Sequence, residues 1–89
     1  MDSIISTEKR CFLCGQQSGL QLHHCAHGVN RKKADEDGLT VYLCVLCHTN
    51  LHQRGWHDKD LKVIAQKAWE SHYGTTEDFI ARYGKNYKL

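Results

Sequence analysis

Cys11-Phe-Leu-Cys14 and Cys44-Val-Leu-Cys47 are two CxxC pairs, and the second runs directly into His48-Thr-Asn-Leu-His52. Two thiolate pairs bracketing a loop supply the four soft ligands of a closed tetrahedral zinc site, which holds small modules together. The histidines ask for something different. Residues four apart share one face of a helix, so His48 and His52 can grip a single ion, while Cys47 points about 100° away around the same axis. One short stretch thus carries ligands for a closed zinc and for a second, open metal. Upstream, Leu22-His23-His24 adds two more imidazoles.

The elements that must present these groups follow from local pattern. Gly15 closes a tight turn around the first thiolate pair. Leu20-Gln-Leu-His23 alternates apolar and polar side chains as a short strand, and Leu39-Thr-Val-Tyr-Leu43 is β-branched, aromatic and apolar, a second strand able to pair with it. Between them Gly28 to Gly38 is polar and charged and predicts a loop. Val45 to about Arg54 is helical, with Gly55 at a left-handed cap. Asp58 or Asp60 caps a further helix through His72, on which Leu61, Ile64, Ala65, Ala68, Trp69 and His72 or Tyr73 recur at helical spacing. Gly74 ends it. Thr75 or Thr76 caps a last helix with Glu77 and Asp78 at its positive end and Phe79, Ile80 and Tyr83 turned inward as core. The first ten residues form a loosely ordered lead-in.

At 89 residues, the chain predicts one domain, near the size where a hydrophobic core alone only just offsets conformational entropy, so a structural zinc fits the need. Apolar content of 40% and charged content of 25% are those of a globular protein. Five cysteines are an odd number for a disulfide framework, and Met1 to Arg10 has no apolar run that could serve as a signal peptide, which points to a reducing cytosol. No stretch suits a membrane span. A net charge of +2 neither demands nor excludes nucleic acid, but Arg31-Lys32-Lys33 and Arg54 offer local phosphate contacts. Cys25 reads as a small buried hydrophobe, and His57 and His72 as ordinary histidines outside the constellation.

Taken together, a His-His step at the end of one strand, a second strand, and a helix opening Cys-His-x-x-x-His resemble the HNH endonuclease superfamily, in the variant stapled by two CxxC pairs. The resemblance spans Cys11 to His52. It implies an α+β fold: a zinc-stapled, treble-clef-like ββα-metal core over 11–54 with a helical extension over 58–84. It implies a structural Zn²⁺ on Cys11, Cys14, Cys44 and Cys47, a catalytic divalent metal on His23, His48 and His52, and His24 as the general base that activates water against a DNA phosphodiester. His27 could stand in for either histidine role. Imidazole donors favour Zn²⁺, Ni²⁺, Co²⁺ or Mn²⁺ over oxygen-seeking Mg²⁺. By the same analogy the products carry a 5′ phosphate and a 3′ hydroxyl, and the setting is the cytoplasm of a bacterial or phage-infected cell.

Where the family carries its middle Asn, this chain reads Asp37-Gly-Leu-Thr40, so the group that orients the base falls to Asp37, Thr40 or a backbone carbonyl. A chain of this size has little surface for base readout, so a specific target would call for a partner protein or a second subunit. The competing reading is a non-catalytic treble-clef zinc module that binds nucleic acid or a protein.

Overall fold

In a computed structural model, which describes residues 2–89, strands β1 (Leu20–His24) and β2 (Thr40–Cys44) pair antiparallel, with Leu20 opposite Cys44 and His24 opposite Thr40. A single turn of 3₁₀ helix (Gly28–Asn30) and helix α1 (Arg31–Asp37) connect them. Helices α2 (Val45–Arg54), α3 (Asp58–His72) and α4 (Thr76–Tyr83) follow. The protein is therefore a small compact α+β fold with a two-stranded sheet and four α-helices. No described helix is long and apolar enough to cross a membrane.

Caps stand where the sequence puts them at most helix ends. Gly55 ends α2 at φ 69°. Thr75 and Asp78 form a reciprocal capping box at the start of α4, each side chain accepting from the other's backbone N–H. At α3 neither aspartate is the cap: His57 occupies that position with φ 60°, and Asp58 is already helical.

The expected loop between the strands is the main departure. Helix α1 carries its basic residues first and its acidic residues last, against the helix dipole, so its sequence gives no local signal for a helix. Tertiary contacts supply what the dipole withholds. Ala34 is buried in the core, and Gly38 closes the helix at φ 79° with its N–H on the Ala34 carbonyl. Asn30 Nδ2 donates to the Tyr83 carbonyl at 3.1 Å and Lys33 Nζ to the Arg82 carbonyl at 2.7 Å, which satisfies two carbonyls that the end of α4 leaves open. Asp37 Oδ2 accepts from Trp69 Nε1, Tyr83 OH and Arg82 Nε, and Asp37 Oδ1 from Arg82 Nη2. The helical extension is thus bonded to the segment that connects the strands.

Inward packing differs in detail from the periodic reading. Phe79 stacks on Tyr83 at 4.5 Å between ring centres and meets Trp69 edge-on at 5.5 Å, beside buried Leu61. Ile64 and Ile80 instead face outward, and Gln66 takes an interior place. That buried amide is fully bonded: its nitrogen donates to Glu70 and Asn86, and its oxygen accepts from Tyr87 N–H. The N-terminal lead-in is also tied down, contrary to expectation. Ile4 N–H donates to Gly38 O at 2.9 Å, Ser3 Oγ donates to Thr40 O, and Ile4 and Ile5 pack on the core.

Candidate metal centres

The two CxxC pairs converge across the end of the sheet. Turn formation explains the first: Gly15 N–H returns to Cys11 O at 2.8 Å, and Gly15 takes φ 82°. Helix capping explains the second, since the Cys44 sulfur caps α2 by accepting from Cys47 N–H. All four sulfurs lie within 4.8 Å of one another, and Cys14 Sγ is 3.7 Å from Cys44 Sγ. Tetrahedral zinc with bonds near 2.3 Å sets its sulfurs about 3.8 Å apart, so the group is compatible with zinc. Titration is uneven across the set. At Cys11 burial is outweighed by backbone N–H groups of Cys44, Cys14 and Leu13, which bring it down to about 6. Burial and the neighbouring thiols of Cys44, Cys11 and Cys14 push Cys47 up. A divalent cation would supply the charge that lets all four ionise.

Cys25 takes no part. It is buried at 1% exposure, and burial raises its thiol to about 12.

The histidines form a second, separate group. His23, from β1, and His48 and His52, from α2, present ring nitrogens within 4.8 Å of one another. His48 Nε2 and His52 Nε2 are 3.0 Å apart, close to the spacing of two imidazoles on one ion at about 2.1 Å. His23 is 2% exposed, and its Nε2 is the buried side-chain polar atom without a hydrogen-bond partner among the described residues. Such an orphaned nitrogen costs about 1–3 kcal/mol unless something accepts its lone pair, so the donor set fits a metal. Burial, then the His27, His48 and His52 charges, hold His23 down to about 3, and burial with His52 and His27 lowers His48 as well. Both shifts favour the neutral imidazole, the form able to donate a lone pair to a metal.

These three rings line a cavity of about 270 Å³ whose wall also includes His24, His27 and Arg31. Adjacent residues on a strand face opposite ways, yet His23 and His24 both border this space because β1 ends at His24. His24 Nε2 lies 3.1 Å from Asp35 Oδ1, on α1. Neither Asp37 nor Thr40 supplies that contact, since the Asp37 carboxylate is engaged by α3 and α4. His27 is held by Asp58 at 2.9 Å, and Asp58 in turn by Lys62 at 2.8 Å. A second, more open hollow of about 450 Å³ shares His24, Gly28 and Arg31 and continues to Lys32.

Of the basic candidates, Arg31 and Lys32 border this trough, whereas Lys33 is turned to α4 and Arg54 is exposed at the end of α2. His57 pairs with Asp60, and His72 is exposed.

Gln21 and Asp35 are the neighbours that sequence patterning passed over. Gln21 Oε1 lies 2.6 Å from His48 Nδ1. Strand alternation carries the signal, because Gln21 and His23 share the face on which α2 packs. Asp35 lies on α1, within the stretch whose polar sequence predicts a loop.

A small α+β protein with a four-cysteine group able to hold zinc is the class that fold and site define. No family model, curated protein or solved structure matches the chain.

Proposed function

We propose that the protein is a metal-dependent endonuclease of the HNH type that hydrolyses DNA phosphodiester bonds. The observation that carries the reading is the single cavity in which His23, His48 and His52 converge while His24, backed by Asp35, forms the adjoining wall. Cys11, Cys14, Cys44 and Cys47 hold a structural zinc that fixes the start of α2. His23, His48 and His52 would hold a divalent ion, whose positive charge would offset the negative charge that builds up as the phosphodiester is hydrolysed.

The chain's own groups supply the rest. His24 Nε2–H donates to Asp35, which leaves Nδ1 as the basic nitrogen that takes a proton from the attacking water. Asp35 fixes that tautomer and stabilises the imidazolium that forms. Arg31, on the rim shared by both hollows, receives the phosphate, and Lys32 lies along the strand's path. Arg54 adds a peripheral contact, while Lys33 is already spent on α4.

The test is nicking of supercoiled plasmid with Mg²⁺, Mn²⁺, Ni²⁺ or Zn²⁺. The parent protein nicks, and His24→Ala, still folded and holding zinc, loses about 10²–10⁴-fold in rate. A parent protein inert with every metal would establish the alternative, a treble-clef zinc module that binds nucleic acid or a protein without cutting.

A further inference from the structure

We infer that Gln21 is a positioning residue for the histidine metal site: its amide oxygen fixes the tautomer of His48 and so decides which nitrogen of that ring meets the ion. The inference rests on the proposed function only in assuming that the three histidines hold a metal.

The geometry is specific. Gln21 Oε1 lies 2.6 Å from His48 Nδ1, a contact between β1 and α2 that joins residues 27 apart in sequence. A carboxamide oxygen accepts and cannot donate, so the proton of a neutral His48 must sit on Nδ1. The lone pair then belongs to Nε2, the atom that faces His52 Nε2 at 3.0 Å. His23 presents a buried Nε2 as well. His48 and His52 thus turn the same nitrogen toward each other, and a ring nitrogen of His23 lies within 4.8 Å of theirs.

Without the Gln21 contact, a neutral imidazole in water distributes its proton between the two nitrogens and turns about its side-chain bonds. His48 is partly exposed, so packing alone does not hold the ring. Outer partners of this kind raise a ligand's basicity and fix its orientation, and their loss costs about 10–100-fold in metal affinity. A carboxylate at position 21 would accept the same N–H.

Gln21 is exposed on the strand, so its replacement leaves the core and the thiolate group intact. Mn²⁺ and Ni²⁺ binding by calorimetry, on protein already loaded with one zinc, reads the effect without reference to cleavage. Gln21→Ala is expected to bind about 10–100-fold more weakly, and Gln21→Glu within a few-fold of the parent or tighter, each retaining its zinc. Long-range ¹H–¹⁵N spectra of the imidazoles, recorded before the second metal is added, should show His48 protonated on Nδ1 in the parent and a mixture of tautomers in Gln21→Ala.

Unchanged affinity in Gln21→Ala, or a parent His48 protonated on Nε2, overturns the inference and leaves the nuclease reading standing. A parent that binds Mn²⁺ and Ni²⁺ yet cleaves no DNA removes the nuclease reading and leaves Gln21 in its role.

Discussion

Replacing Asp37 should release the helical extension from the rest of the protein, because this one carboxylate accepts hydrogen bonds from both α3 and α4. Trp69 Nε1 reaches it at 2.9 Å, Tyr83 OH at 2.8 Å, and Arg82 in a two-pronged contact at 2.6 and 2.9 Å. Its pKa lies below the ordinary value: burial raises it, and the bonds from Arg82, Tyr83 and Trp69 more than reverse that. Asp37→Ala strands the Trp69 and Tyr83 donors inside the protein, at about 1–3 kcal/mol each. Arg82 is about a third exposed and can turn to water, so its loss adds little. The sum, about 2–6 kcal/mol, brackets the usual cost of about 3–5 kcal/mol for breaking a buried ionic contact. Asp37→Asn keeps an acceptor for the two ring donors but turns an amide N–H₂ toward Arg82, for about 1.5–3 kcal/mol.

Zinc-saturated protein unfolded in urea at neutral pH measures both. The whole fold of a domain this size is worth roughly 4–13 kcal/mol, so Asp37→Ala should lower the thermal midpoint by at least about 8 °C. The depressed carboxyl also sets a sign with acid. The stability it confers is fully present above its unfolded value of 3.8 and is lost as pH falls through the folded one, a slope that Asp37→Asn lacks. A loss below about 1 kcal/mol in Asp37→Ala would refute the reasoning, and would mean that apolar packing alone docks α4.

Three further outcomes are expected. Cys47→Ser should fail to retain zinc and should unfold where the parent is folded, since metal binding contributes on the order of 10 kcal/mol to such modules; Cys25→Ala should keep one zinc per chain by atomic absorption, and a loss of zinc there would remove Cys25 from its place as core. In protein holding one zinc and no added metal, stability should fall by about 1 kcal/mol between pH 7.5 and 5.5, because the unfolded chain protonates His23 near 6.5 while the fold holds it down to about 3. His23→Leu removes that part of the slope, and an unchanged urea midpoint profile in this variant would show that His23 does not titrate as its burial demands.

What was legible in the sequence follows from how local each signal is. The thiolate pairs, the His48–His52 step, the strands and the Gly55 cap each announce themselves in a pattern a few residues long, and each lies within a residue of where patterning put it. Helix α1 does not work that way. Its charges oppose its dipole, and its stability comes from residues 32 or more positions away: Trp69, Arg82 and Tyr83 on Asp37, and the Tyr83 carbonyl on Asn30. No window along the chain contains that information. Only 11 positions separate Asp35 from His24, but that pairing was hidden too, since only a helix at 31–37 turns the carboxylate toward the end of β1. Gln66 lies inside and Ile80 outside for a related reason: an amide enters the core when three partners saturate it, and an aliphatic side chain stays outside when no neighbour covers it. The residues that tune the histidine cavity, Gln21, Asp35 and Asp58, are polar side chains whose roles are set by what folds against them. Ligand types and spacing can thus be read directly, while the groups that aim those ligands become visible only once the strands and helices are in register.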